Sequence, residues 1–376
     1  MNQQEILNTI ALTRIGHFSP TAMLMLLREV GSATEILAHH NNIREILPTA
    51  SDRLVASMKS IDEPMRRAEA EMEFDTKHHI SPLIISDPEY PERLRQCDDA
   101  PLVLFYRGTA DLNAQRIISI VGTRQATNYG QEIIRRFVSD MKTLAPDVII
   151  VSGLAYGVDI CAHRSAIENG IDTIGVLAHG LDTIYPGHHR KTAEQMLQHG
   201  GLITEFLSNT NADKVNFVRR NRIVAGMSDA VILVESAAHG GGLITTSIAN
   251  SYNRDVMAFP GPVGAKYSEG CNNLIRNNGA TLITSADDMM HTLGWESAAD
   301  VQTARSKGIE RQMFPDLTDA EQKVTDALTD TNDQQINMLA VQTGIPISEL
   351  SGILFSLEMK GVVRPMAGGI YHLLTI

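Results

Sequence analysis

The stretch Ile117-Ile118-Ser119-Ile120-Val121-Gly122-Thr123-Arg124 decides the fold. Its five β-branched or small residues read as a strand buried on both faces, as in a parallel sheet. The strand ends at a glycine, where backbone amides can approach a ligand with no Cβ in the way. The same design recurs in Val148-Ile149-Ile150-Val151-Ser152-Gly153-Leu154-Ala155-Tyr156-Gly157-Val158-Asp159. It recurs again in Val231-Ile232-Leu233-Val234-Glu235, followed by Gly240-Gly241-Gly242-Leu243-Ile244-Thr245. Helix-forming residues follow each turn, so unpaired N–H groups and the positive end of a helix dipole are expected above the strand ends. Three phosphate-compatible turns on one sheet define the region in which to look for function.

Working outward, strands are predicted over 102–106, 117–121, 148–151, 173–177, 202–205, 230–234, 256–259 and 281–283, with helices in most of the gaps. Strands alternating with helices imply right-handed crossovers and a doubly wound, mainly parallel α/β sheet of Rossmann-like type, with ligands at the carboxyl ends of its strands. Residues 1–75 read as a small helical, helix-hairpin-helix-like domain, closed by an exposed charged helix around Met65–Glu73. The core is expected over 77–295 and a polar linker over 296–315. Residues 316–376 show three helices (319–328, 334–343, 348–360) and a strand pair (362–365, 370–373), the pattern of a winged helix.

Composition narrows the function. The chain has 376 residues, 43% of them hydrophobic, and a net charge of −12 spread over all three regions. No region is basic overall, which argues against non-specific duplex binding by bulk electrostatics and leaves room for a local cationic pocket. Aromatics make up only 5%, so stacking has few residues to draw on. Cys97, Cys161 and Cys271 show no CxxC spacing and read as core fillers of a reducing compartment. No basic leader and no membrane-length apolar run is present, so a cytoplasmic, soluble protein is expected.

Within the turns, Gly122, Thr123 and Arg124 suit one anion, through two amides, a hydroxyl and a guanidinium. Ser152, Gly153, Leu154, Ala155 and Tyr156 form the second loop. One helical turn separates Asp159 from His163, which fits a hydrogen-bonded pair bracing that loop. Gly240, Gly241 and Gly242 read as an amide nest, with Thr245 opening the next helix. Phe217, Arg219, Arg220, Asn221 and Arg222 are the densest cationic stretch, of which Arg222 and one other arginine are expected to face a phosphate backbone beside Phe217. Neither a GxGxxG turn nor a GxxxxGK[ST] loop is present, and no metal-ligand spacing appears.

Together Gly122-Thr123-Arg124, Ser152 to His163, Tyr185-Pro186, Phe217 with Arg219 to Ile223, Gly242 to Thr245, Pro260-Gly261 and Gly270 with Asn272 to Ile275 resemble the DNA-processing protein A (DprA/Smf) family over about residues 80–290. The resemblance implies an extended Rossmann fold that binds single-stranded DNA, forms a homodimer and loads RecA recombinase in natural transformation, with no catalysis, cofactor or metal. It implies phosphate contacts from Gly122 to Arg124, the Gly153–Ala155 amides, the 240–242 nest and Arg222. After Tyr185-Pro186 it implies a pocket cation, either Arg190 or Lys191. Two departures stand out: Tyr156 replaces a frequent basic residue, and His239-Gly240-Gly241-Gly242 replaces Ser-Gly-Ser. A different class is a nucleotide-processing enzyme of phosphoribohydrolase type, for which Glu235 or Glu205 would be the acid. A third is a transcription regulator. Glu349, Glu358 and a lone Lys360 on the last helix instead suit protein contact there.

Overall fold

The structure, a computed structural model, describes residues 2–16, 20–297, 317–366 and 369–374. It divides into two compact units, Met1–Ala298 and Ala299–Ile376. Apart from Glu296 and Ser297, the expected linker lies outside the described residues.

The first unit opens with helices α1 (Gln3–Leu12), α2 (Pro20–Val30), α3 (Ala33–Ala38), α4 (Asp52–Met58) and α5 (Asp62–His78). There follow β1 (Ser81–Ile84), α6 (Glu92–Arg95), β2 (Val103–Gly108), β3 (Ile117–Val121), α7 (Asn128–Leu144), β4 (Ile149–Ser152), α8 (Val158–Glu168) and β5 (Thr173–Val176). Next come α9 (Arg190–Met196), β6 (Gly200–Thr204), α10 (Lys214–Gly226), β7 (Ala230–Leu233), α11 (Gly241–Ser251), β8 (Asp255–Ala258), α12 (Glu269–Arg276), β9 (Thr281–Leu282) and α13 (Ala286–Leu293).

Among the described residues these strands form one sheet in the order β1-β2-β6-β5-β4-β3-β7-β8-β9. It is parallel from β6 to β9, while β1 and β2 add antiparallel pairs at one edge. Strand order runs outward from β3 in both directions, so the loops after β3, β4 and β7 meet at the switch point, where an open α/β sheet holds its ligand. The three glycine turns of the sequence sit on these three neighbouring strands.

Alternate residues of the central strands feed two cores. Ile118, Ile120, Ile150 and Ile232 pack against Ile134, Phe137, Val138 and Met289. Ile117, Ile149, Val151 and Leu233 belong to a cluster on the opposite face that extends without a break to Ile10, Leu24 and Ile36 of the N-terminal helices. The boundary expected after residue 75 therefore falls inside α5, and α1–α5 cover part of the sheet rather than standing apart. Nor is α5 the exposed helix that its charges suggested. Its inner face carries Ala68, Glu71 and Asp75, all buried. The Glu71 carboxylate accepts from Ser208 N (2.7 Å) and Oγ (2.6 Å) in the loop after β6, and pairs with Arg67 at 2.8 Å. Both Asp75 oxygens lack partners. Burial, reinforced by repulsion from Glu71 and opposed by Arg67, raises the Asp75 carboxyl to about 8.

The second unit contains α14 (Asp319–Asp330), β10 (Gln334–Gln335), α15 (Ile336–Thr343), α16 (Ile347–Met359), β11 (Val363–Met366) and β12 (Ile370–Leu373). Its strands pair antiparallel in the order β10-β12-β11, around a core that includes Val324, Leu328, Leu339, Leu354 and Leu373. This is a winged helix. The helix expected over 334–343 starts two residues later, because Gln334–Gln335 form β10, and the turn residue Gly368 lies outside the described residues. Glu321 caps α14 through Thr318 and receives Lys360 Nζ at 2.7 Å. The Lys360 ammonium, with help from Ser356 and Thr318, pushes the Glu321 carboxyl down to about 2. The sole cation expected on the last helix is thus tied to a carboxylate of its own unit. No single helix among the described residues is long and apolar enough to cross a membrane.

Candidate nucleic-acid interface

A cavity of about 770 Å³ opens above the carboxyl ends of β4, β3 and β7, roofed on one side by α10. Each of the three turns contributes to it, in different ways.

At the first turn the Thr123 amide, expected to face an anion, donates instead to Glu235 O at 2.8 Å. The start of α7 is filled from within as well. The Glu235 carboxylate, itself buried, accepts from Thr127 N (2.8 Å) and Thr127 Oγ1 (2.6 Å). Gly122 and Thr123 still line the cavity, beside Arg124, which is exposed with its guanidinium 4.8 Å over the Phe217 ring.

At the second turn Ser152 is buried and donates to Ile120 O at 2.7 Å, and Leu154 is buried in the core; neither lines the cavity. Gly153 does, and its lack of a side chain is required. A Cβ there would lie 1.8 Å from Arg220 Nη1, so the guanidinium rests directly on the loop backbone. Gly157, at φ 77° and ψ −120°, takes a conformation costly for other residues and lets the Val158 amide reach Thr123 O at 3.1 Å. Asp159 stands in the first turn of α8 and accepts from the Ala155 amide at 3.4 Å. Its carboxyl is pushed up by burial against the opposing pull of Arg220. Tyr156 faces away from the cavity, edge-on to His189 with ring centres 5.0 Å apart. The anticipated Asp159–His163 pair does not form. His163, fully buried, bonds through Nδ1 to Thr173 Oγ1 at 2.7 Å, and burial followed by repulsion from Arg220 and His189 lowers it to about 3.

The third turn is open. Helix α11 begins at the N-cap Gly240 with no side-chain cap bond, and Gly240, Gly241, Gly242 and Thr245 all line the cavity. Two of the three helix N-termini expected to seat phosphate are thus engaged from within, that of α7 by the Glu235 carboxylate and that of α8 by the Thr123 carbonyl, with Asp159 holding the loop before it. The α11 terminus, with no side-chain cap, opens onto the cavity through Gly240, Gly241 and Gly242.

Helical geometry sorts the arginines. The stretch 219–222 lies inside α10, so successive residues point about 100° apart. Lys214, Phe217, Arg220 and Asn221 line the cavity. Arg219 turns to Glu205 at 2.9 Å and lies over Phe206. Arg222, the arginine favoured from sequence, is only 5% exposed and outside the cavity, paired with Glu205 at 2.6 Å and donating to Asp99 O at 2.7 Å. The buried cation of the cavity is Arg220 instead. It is 3% exposed and donates through Nη1 to Val176 O at 2.6 Å, while its Nε has no partner. Burial lowers it to about 10, with Asp159 raising and Arg124 lowering it, so it stays charged at neutral pH.

Lys191 is exposed on α9 away from the cavity, and Arg190 lines a separate cleft with Arg107, Asp182 and Glu194. In place of that cation the cavity carries Lys214 and Lys266, which sequence reasoning missed. No ion pair joins Arg124, Lys214 or Lys266 to a carboxylate among the described residues. Sequence also missed two aromatic walls. Tyr267 lies under Lys266 and donates to Gln125. Tyr185 has its ring centre 6.0 Å from that of Phe217, and its amide donates to His179 Nε2 at 3.2 Å. The only available signal was the Tyr185-Pro186 pair. The acids considered for nucleotide chemistry are engaged elsewhere, Glu235 at Thr127 and Glu205 with two arginines. Among the described residues no group of three His, Cys, Asp or Glu is placed to hold a metal.

Residues 81–294 match the family described as DNA recombination-mediator protein A, and residues 312–369 match the DprA winged helix domain. The chain is similar to the protein Smf of Escherichia coli, 34% identical over 305 residues, spanning 79% of this chain and 78% of that one. Among solved structures it is similar to DNA processing protein A of Streptococcus pneumoniae, with a TM-score of 0.65 and 29% identity over 75% of this chain and 95% of that one. It is also similar to DNA processing protein A of Helicobacter pylori, whose structure concerns a single-stranded DNA binding mode. There the TM-score is 0.51 and the identity 27%, over 57% of this chain and 95% of that one.

Proposed function

Because the chain belongs to the DNA recombination-mediator protein A family, we propose that it binds single-stranded DNA in the switch-point cavity and acts by holding the strand rather than by breaking bonds in it. The observation that carries this reading is the set of cations without carboxylate partners, Arg124, Lys214 and Lys266, gathered with the uncapped N-terminus of α11 around one cavity of an acidic protein. Backbone phosphates are drawn to the α11 amides and to the cations. Bases lie against Phe217, Tyr185 and Tyr267, a contact that any base can make. Single-stranded DNA binding by the Helicobacter pylori relative supports the assignment. As a recombination mediator, the protein would work in the cytoplasm as a homodimer, presenting strands to RecA recombinase during DNA uptake.

The test is fluorescence anisotropy of the full chain with oligo-dT and with the matching duplex across a salt series. Oligo-dT should bind in preference, with log affinity falling by roughly 0.7 per neutralised phosphate for each decade of salt. Equal affinity for duplex, or turnover of AMP, ATP or DNA that disappears in Glu235→Gln, would overturn the reading.

A further inference from the structure

The second unit leaves an apolar face uncovered. Met338, Val341, Ile347, Phe355, Met359 and Met366 all stay exposed there, Phe355 by 63% and Met359 by 73%. Single exposed apolar residues are ordinary, but several on one helix face mark a contact surface. On α16 the exposed residues Ser348, Ser351, Gly352, Phe355 and Met359 keep the spacing i, i+3, i+4, i+7, i+11 and form one stripe, while Leu350, Leu354 and Leu357 turn into the core. The stripe is small in its first half and large in its second. Ser351 folds its hydroxyl back onto Ile347 O at 2.8 Å, which blunts its polarity. Met338 and Val341 stand on α15, which meets α16 through the turn 344–346 at a bend of 106°.

Gly352 is the informative position. Glycine inside a helix weakens it, and the loss is offset where another backbone must come close. Nothing in this unit comes close, since a Cβ at Gly352 would meet no atom within 4 Å. The small half of the stripe is therefore an open notch, and Phe355 and Met359 stand beside it as anchors.

Charge selects what fills the notch. Counting about 100° per residue from Phe355, Glu358 lies about 60° to one side of the stripe and Glu349 about 120° to the other. Both are exposed, and neither has an ion-pair partner among the described residues. Residues 317–376 hold three cations against seven acidic side chains, and one of the three, Lys360, is tied to Glu321. A nucleic-acid backbone or an anionic membrane is repelled by such a surface, and a second copy brings the same excess of carboxylates. An amphipathic helix with Lys or Arg beside its apolar stripe matches both the apolar face and its acidic flanks. Methionines suit that task, because their thioethers adapt to varied side chains. We propose that α16, with Met338 and Val341 of α15, is the docking face for a basic amphipathic helix of a partner protein, so that the winged helix serves as a protein adaptor and not as a reader of DNA. This inference stands independently of the strand-binding reading of the first unit.

The test uses the full chain and three fluorescein-labelled peptides of about 18 residues, or five helical turns. One is a Leu/Lys amphipathic helix, the second its Leu/Glu counterpart, and the third has the Leu/Lys composition with the period broken. In anisotropy titrations the Leu/Lys helix should bind about tenfold or more tightly than the other two. Phe355→Ser/Met359→Ser should lose about tenfold or more of that affinity, the scale of a contact anchor, at an unchanged melting midpoint. Glu349→Lys/Glu358→Lys should transfer the preference to the Leu/Glu helix. Gly352→Leu should keep or raise the melting midpoint while weakening the peptide, two effects that a purely structural role of this position would not combine. Equal binding of the periodic and the broken Leu/Lys peptides would reduce the effect to bulk charge and overturn the proposal. So would full peptide affinity in Phe355→Ser/Met359→Ser. A lower mass of that variant in light scattering would give the face to a second copy, and a loss of its oligo-dT affinity would give the face to the strand; either overturns the proposal.

Discussion

At the scale of single residues, the four positions 219–222 show how much a local pattern conceals. The sequence reveals a cationic cluster, but which guanidinium meets the ligand depends on helical phase and on a partner far along the chain. Glu205 takes Arg219 and Arg222, and Gly153 makes room for Arg220. Two variants should therefore part company. Arg124→Ala removes an exposed cavity side chain whose guanidinium lies over Phe217. It should weaken oligo-dT binding by about 1–3 kcal/mol with no change in melting midpoint. Arg222→Ala leaves Glu205 buried without its closest partner. It should lower stability by about 3–5 kcal/mol, the cost of breaking a buried pair, with affinity per folded molecule kept. Anisotropy beside thermal melting checks both, and lost affinity in a stable Arg222→Ala would return that residue to the interface.

At the scale of elements, the strands were legible because a parallel sheet buries both faces and leaves long β-branched runs, and the glycine turns were legible for the same reason. The helix termini were not. Whether an N-terminus faces a ligand depends on carboxylates from other segments, such as Glu235 reaching Thr127, and no local pattern announces them. Helix α5 differs in the opposite direction, since its charge pattern predicts a solvated face and two of those charges, Glu71 and Asp75, are interior. Asp75 makes that burial measurable. Its folded-state carboxyl titrates near 8, above an unfolded value near 3.9, so the native state binds the extra proton between these values. Stability from this group is fullest at low pH and falls as the pH rises toward 8. Asp75→Asn should be nearly neutral at pH 5 and stabilising at pH 9. The gap is on the order of 4 kcal/mol, the three pH units between 5 and 8 counting about 1.4 each. Denaturant melts at the two pH values check it, and a gain of equal size at both would remove the charge from the explanation.

At the scale of the whole molecule, the continuous core from α1 to the sheet means that the N-terminal helices are part of the binding unit's fold. A chain starting at residue 81 loses the cover over Leu83 and Ile84 and the Glu71 contacts to Ser208. It should aggregate or melt early, whereas residues 1–297 should bind oligo-dT as the full chain does. The fragment 317–376 has its own core and should fold, yet bind no DNA in gel shift, because Lys360 is held by Glu321. Tight binding by that fragment would reassign the winged helix.

The internal partners that close the helix termini, Glu235 at α7 and the Thr123 carbonyl at α8, also bear on selectivity in a crowded cell. An enclosure with three open amide cradles would trap any free nucleotide or inorganic phosphate, and the abundant small anions would occupy it before a strand arrived. With one cradle left at α11 and the remaining attraction spread over separated side chains, a lone phosphate gains a single anchor. A polymer gains each further anchor at the high effective concentration set by its own backbone. Thymidine monophosphate in large excess should therefore barely displace bound oligo-dT in a competition titration, while short oligomers should displace it progressively better with each added nucleotide. Avidity, more than any one contact, would be how this site tells a strand from its monomers.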